Sequence, residues 1–355
     1  MAISDESHIR DWKHVLGLCN LKSGENVVVL TGESSNPANL ENSLRAALAM
    51  GAQACRLDLP PIFPQGPHGG DRTANVGVTP IAGNRNAIEL LKRADLVIDL
   101  MGLLHSPEQL EVLAAGTRML MVLEPPEVLA RNLPSLDDKR RVMAADRRLR
   151  QAAKMTVRSP GGTDLEMPLG QFGTLPEYGF ADEPGHWDHW PSGFTSTWPR
   201  EGGGDGVLVV DRGDMLFPFK MYVHEPIRMQ IRDGIICSIE GGFEATFLNR
   251  YIAAYDDPRA YAISHVGYGL QPKSRWTAQA MMDKSYSLGM EARSFYGNFL
   301  FSTGPNSEAG GGNDCRCHID MPLANCSVWL DDEPMVIDGK VVAPDQMVAP
   351  PQAST

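Results

Sequence analysis

Over roughly its first 155 residues the chain alternates short apolar runs with amphipathic stretches, a rhythm that few architectures accept. Val27-Val28-Val29-Leu30 reads as a buried strand ending at Thr31-Gly32. Residues 39–50 follow with Leu40, Leu44, Ala47 and Leu48 on one helical face, and Gly51 stops them. Strand patterns at 55–59, 96–100 and 119–123 then alternate with helical ones at 86–93 and 107–115. This βαβα order implies a parallel sheet covered by helices on both faces. From about residue 155 the texture changes. After the turn Pro160-Gly161-Gly162-Thr163-Asp164 come short strands at 206–210, 220–223, 227–231 and 235–239, with Asp233-Gly234 as a hairpin turn between the last two. The expected class is α/β, with a parallel-sheet, Rossmann-like α/β domain over 1–155 and a mainly antiparallel α+β domain over 156–355.

Two domains also suit a chain of 355 residues. A net charge of −12 argues against nucleic acid, whose binders carry a basic footprint. The basic residues of 136–154 are better read as one face of an amphipathic surface helix, with Val142, Leu149 and Ala152 on another. Six scattered cysteines suggest reduced thiols rather than a disulfide framework. The N-terminus has no basic segment followed by an apolar one, and no stretch is long and apolar enough to span a membrane, so a cytoplasmic location is expected. The ending 349–355 reads as extended or disordered unless a neighbouring subunit captures it.

The sharpest chemical signal is Cys315-Arg316-Cys317-His318-Ile319-Asp320, after Gly310-Gly311-Gly312. On a strand, residues two apart share a face, so His318 and Asp320 would project together. One more histidine would complete a 2-His-1-carboxylate face, the usual holder of non-haem Fe(II), and His265 before Gly267-Tyr268-Gly269 is the best candidate. Cys315 and Cys317 would point the other way with Ile319 and pack as small apolar residues rather than bind zinc. In parallel α/β sheets ligands bind beyond the carboxyl ends of the strands, which places Leu104 and His105 well. No GxGxxG or P-loop follows the first strand, so nucleotide binding has no support. Residues 176–198 hold three of the six tryptophans with no clean period, which suggests a long loop walling a pocket. Its aromatic rings could stack on a flat ring substrate, and Glu177 and His189 could accept protons. Ser302 belongs at the mouth of the same site as a hydrogen-bonding group.

Phe301-Ser302-Thr303-Gly304, the glycine run, His318-Ile319-Asp320 and the 159–165 turn are similar to the C-terminal signature of the thermophilic metallo-aminopeptidases. That resemblance implies a metallo-aminopeptidase-like scaffold with two metal ions. The chain departs from it, with His265 where a carboxylate is expected and apolar Phe299, Leu300 and Phe301 where another histidine is expected. What remains, with His105 and the Glu177 to His189 segment, resembles the 2,5-dihydroxypyridine 5,6-dioxygenase family of nicotinate and nicotine degradation. The resemblance implies one Fe(II) held by His265, His318 and Asp320, and O₂-dependent cleavage of 2,5-dihydroxypyridine to N-formylmaleamic acid. It also implies a homo-oligomer, with a hexamer as one candidate state. His105 is the first choice of base, with Glu177 or His189 next, while His189, Glu177 and Ser302 would orient the ring and Leu104 would help exclude water. A two-metal aminopeptidase and an inactive binding protein on the same scaffold are the competing readings.

Overall fold

The computed structural model describes residues 5–60, 79–104 and 106–349, which fall into two compact units. The first gathers Met1–Ser135, Glu177–Ser192 and Met281–Met290, and the second Leu136–Pro176, Gly193–Ala280 and Glu291–Thr355. The division is therefore discontinuous, and the helix Leu136–Gln151 belongs with the second unit.

In the first unit the strands Asn26–Thr31, Gln53–Asp58, Leu96–Asp99 and Arg118–Met121 form a parallel sheet, as the apolar runs indicate. A fifth strand, Trp187–His189, pairs parallel with Arg118–Met121. In chain order the strands lie 2-1-3-4-5, an arrangement whose switch point falls between the first and third strands. Val27, Val29, Leu30, Leu96, Val97, Ile98, Met119 and Leu120 are all fully buried, which explains the near-continuous apolar runs. At the carboxyl end of the third strand, buried Asp99 accepts backbone N–H bonds from Met101, Gly102 and Leu103 at 2.8, 2.9 and 2.6 Å, fixing the turn that leads to Leu104.

Three expectations change here. The first helix, Asp5–Leu18, has no counterpart in the sequence reading, although Trp12, Val15 and Leu16 form its buried stripe. Segment 176–198 is not an irregular loop. It contributes the strands Trp187–His189 and Phe194–Thr197, and its large rings are core: Trp190 packs edge-on against Trp12 and its indole N–H donates to the Asn132 carbonyl at 3.0 Å. Strands of three or four residues are too short to show a period. The basic helix Leu136–Gln151 is not basic on its surface alone, because Arg141 is buried, paired with Asp137 and Asp138.

The second unit is built on antiparallel ladders. An eight-stranded sheet runs Ile235–Gly241, Ile227–Arg232, Asp205–Val210, Asp164–Pro168, Lys154–Arg158, Ser327–Leu330, Glu333–Ile337, Lys340–Val341. Asp233-Gly234 makes the expected turn between the first two. A five-stranded sheet runs Ile319–Leu323, Phe299–Thr303, Ile263–Gly269, Phe194–Thr197, Thr174–Glu177. Gly267 faces Ser196 across the last but one interface, and a Cβ at Gly267 would overlap the Thr195 carbonyl oxygen. The glycine is demanded by this close backbone approach. Residues 61–78, His105 and the tail beyond Ala349 lie outside the described residues, and with them the expectations placed on His105 and on the ending.

Gly267→Ala should lower stability by roughly 1–3 kcal/mol, the usual cost of overpacking. Gly173→Ala, where a Cβ meets nothing within 4 Å, should be near neutral by comparison. Thermal denaturation of the two variants checks this, and equal melting temperatures would contradict it.

Candidate metal centre

Three neighbouring strands of the second unit carry the site. Ser302 on Phe299–Thr303 stands directly opposite Asp320 on Ile319–Leu323, and its hydroxyl donates to Asp320 Oδ1 at 2.5 Å. On the other side the register slips. Ile263 pairs with Thr303 but Val266 pairs with Phe301, so one extra residue is accommodated at Ser264-His265. Bulges of this kind re-aim a side chain. Here the slip brings His265 level with Ser302, whose Oγ lies 3.1 Å from His265 Nε2. His318 comes one residue before its strand starts, two before Asp320, on the same face. The approach is fixed by Gly304, in the left-handed region at φ 110°, where a Cβ would collide with the Cys317 carbonyl. Beyond it, Asn313 donates to the Gly304 carbonyl at 2.7 Å, and its backbone N–H donates to Asn306 Oδ1 at 2.8 Å.

The result is one nitrogen from each imidazole and one carboxylate oxygen within 4.8 Å of one another, the one such group of three or more among the described residues. Asp320 Oδ1 lies 3.1 Å from His318 Nε2 and 3.4 Å from His265 Nε2. Donors bonded to one cation at about 2.1 Å and at right angles are about 3 Å apart, so these spacings suit a single ion. His318 Nδ1 is buried with no hydrogen-bond partner, and His265 keeps some exposure. Burial most strongly disfavours the charged form of His318, but the Asp320 carboxylate, helped by the Glu308 charge, raises the pKa. For Asp320 burial acts upward, and the charges of His318 and Arg293 overcome it to hold the carboxyl well below its usual range. Cys315 and Cys317 are buried, with thiols pushed to high pKa by burial, as expected of packing residues.

Sequence reasoning missed two further groups. Arg293 Nε donates to Asp320 Oδ2 at 2.6 Å. Glu308 accepts from the Trp198 indole at 3.3 Å, and burial raises its pKa, opposed by the charge of His318. Trp198 in turn packs its ring edge-on to His265, centroids 6.1 Å apart. Neither Arg293 nor Glu308 sits in a motif.

In the first unit Glu177 and His189 do come together. His189 Nε2 lies 3.2 Å from Glu177 Oε1, and both side chains are buried. His189 Nδ1 lies 2.6 Å from the Pro191 carbonyl, which can only accept. A carbonyl on one nitrogen and a carboxylate on the other both favour the doubly protonated ring. Burial opposes that charge most strongly, but Glu177, the Asp188 charge and the Pro191 carbonyl together raise the His189 pKa. Leu104 lies half-buried at the end of the Asp99-capped turn.

The chain is a two-unit α/β protein, a parallel α/β unit joined to an antiparallel unit that presents two imidazoles and one carboxylate in one cluster. Its backbone is similar to that of wild-type AmpT from Thermus thermophilus (TM-score 0.58, 16% identity, 94% of this chain and 99% of that one), a likeness of fold that agrees with the metallo-aminopeptidase-like scaffold. The chain belongs to the 2,5-dihydroxypyridine 5,6-dioxygenase family, which it matches over residues 7–343. It is 48% identical over 346 residues to the 2,5-dihydroxypyridine 5,6-dioxygenase of Pseudomonas putida KT2440, covering 98% of this chain and 99% of that protein. A solved structure of 2,5-dihydroxypyridine dioxygenase from that organism superposes with a TM-score of 0.95, covering 97% of this chain and 99% of that one.

The raised His189 pKa has a testable sign. The stability it contributes is fully present below the ordinary histidine pKa of about 6.5 and is lost as pH rises through the raised value. Glu177→Gln should therefore lower the His189 pKa seen by NMR, and its stability deficit should shrink as pH rises through that window. A His189 pKa unchanged by the substitution would contradict the pairing.

Proposed function

We propose that this protein cleaves 2,5-dihydroxypyridine between C5 and C6 with O₂ to give N-formylmaleamic acid, using one Fe(II) held by His265, His318 and Asp320. Both oxygen atoms of O₂ end in the product, so no separate reductant is needed. The observation that carries the reading is the convergence of these three side chains in a chain matched to the dioxygenase family over nearly its whole length. Two histidines and one carboxylate are the donor set associated with non-haem Fe(II) oxygenases. When bound, the iron would supply a Lewis acid for the 5-hydroxyl and an electron path between ring and O₂.

The protein's own residues do the rest. Ser302 holds Asp320 Oδ1 by a hydrogen bond and so steadies the carboxylate beside the two imidazoles. His189, paired with the Glu177 carboxylate, is placed to give a hydrogen bond to the substrate. His105 is the first choice for removing the substrate's hydroxyl proton, with Glu177 or His189 next. Leu104, at the end of the Asp99-capped turn, is the apolar candidate for shielding the ring from water. The alternative two-metal aminopeptidase gains only the fold likeness. The strand where it would need another histidine carries fully buried Phe299, Leu300 and Phe301. The reading extends to a homo-oligomeric enzyme in the cytoplasm. Among the described residues, no helix is long and apolar enough to cross a membrane.

Anaerobic loading with Fe(II), followed by O₂ uptake with 2,5-dihydroxypyridine, tests the reading directly; no uptake, or release of N-terminal residues from peptides instead, would overturn it. His318→Ala and Asp320→Ala should each abolish iron retention and activity while circular dichroism stays unchanged. Full activity in either metal-free variant would refute the three-residue site. His105→Ala should slow turnover far more than it weakens iron retention, and an unchanged kcat would move the base role elsewhere.

A further inference from the structure

Asp320 is held on both of its oxygens, and the two holds differ in kind. Oδ1 faces Ser302 and the two imidazoles. Oδ2 accepts from Arg293 Nε at 2.6 Å. Both members of this ion pair are buried, with 6% of each side chain exposed. A charged hydrogen bond in such surroundings is short and directional.

Arg293 is itself built into place. Its guanidinium carbon stacks 4.3 Å from the centre of the Phe217 ring. Phe217 in turn forms an isolated bridge with Asp320, donating to the Asp320 carbonyl at 2.9 Å and accepting its N–H at 3.2 Å. Ala292 packs in the same cluster as Phe217 and Met215. Behind the turn, buried Asn298 donates to the Ala292 and Arg293 carbonyls at 2.7 and 3.1 Å and accepts from the Gly269 N–H at 2.6 Å. The backbone of Arg293 is thereby tied to the strand that carries His265, and its side chain to the residue that pairs with Asp320. An exposed surface arginine would have none of this support.

The geometry points to Arg293 as a positioning residue that keeps Asp320 a one-oxygen ligand. A carboxylate with both oxygens free can chelate a cation and occupy two of its positions. With Oδ2 committed to the guanidinium, Oδ1 alone turns toward the imidazole nitrogens, and one more position stays available to small molecules. The guanidinium also cancels the carboxylate's charge, so the cation's own charge is left to attract an anionic, deprotonated ring. This inference rests on the single-metal reading of the site, and it concerns the coordination that Arg293 permits rather than the identity of the reaction.

The test uses the full chain loaded with Co(II), whose visible absorption reports the number and arrangement of donors. Arg293→Met should change that spectrum, keep one bound Co(II) with affinity within about tenfold, and lower kcat of the Fe(II) form by about 10–100-fold, the usual scale for losing an outer partner of a metal ligand. Arg293→Lys, which restores a cationic donor, should return the spectrum and part of the rate. If Arg293→Met fails to fold, Arg293→Leu carries the same comparison, likewise without a donor. A Co(II) spectrum and kcat both unchanged in the Met or Leu variant would overturn the inference, as would loss of Co(II) binding in a folded variant, which would make Arg293 part of the site's support and not a limit on Asp320. Failure of the wild type to bind Co(II) would instead overturn the metal reading beneath it.

Discussion

A carboxylate buried among strands is tolerated only if its charge and lone pairs are met, and in this protein Asp320 sets that requirement. Its neighbours answer from four directions: Ser302 across the ladder, His265 and His318 on the sheet face, and Arg293 from a helical turn. Removing one partner of such a buried pair commonly costs about 3–5 kcal/mol, so the surrounding chain is organised to keep all of them. The Asn306 to Asn313 loop, the left-handed Gly304 and the Asn298 clamp all serve this end, since each fixes a segment that delivers one of these groups.

The ladder pattern explains why a sheet can make such a centre at all. Direct cross-strand neighbours stand about 4.5–5.5 Å apart at Cβ, close enough for a serine to touch an aspartate but set by regular alternation. An unbroken register would put His265 opposite Phe301, pointing it to the wrong level. The extra residue at Ser264-His265 corrects this and lines up His265, Ser302 and Asp320 across three strands. Fully buried Phe299 and Phe301, whose register partners are Leu323 and Met321, fill the alternate positions, so a polar site and an apolar core share the same strands.

This division also accounts for what was legible in the sequence. The parallel strands could be read because burial on both faces makes them continuous apolar runs, and the Asp233-Gly234 hairpin because its turn residues are specific. His318 and Asp320 could be read because their spacing alone puts them on one face. His265 could be nominated from its setting, but not the bulge that aims it, since an inserted residue leaves no mark in the pattern. Arg293 was invisible for a different reason. Its partner lies 27 residues further on, and nothing near it departs from an ordinary surface sequence. The 176–198 segment misled because its two short strands belong to different sheets, so a single period never develops.

AmpT of Thermus thermophilus has a similar fold at 16% identity, and a fold by itself does not dictate a chemistry. In the reading proposed above, this chain brings a single carboxylate, Asp320, to the cation. Already compensated by buried Arg293, that carboxylate would leave a divalent ion with most of its charge unspent. Such an ion would draw a phenolic oxygen toward its deprotonated form. Several uncompensated carboxylates would spread that charge over the protein and favour a second ion instead.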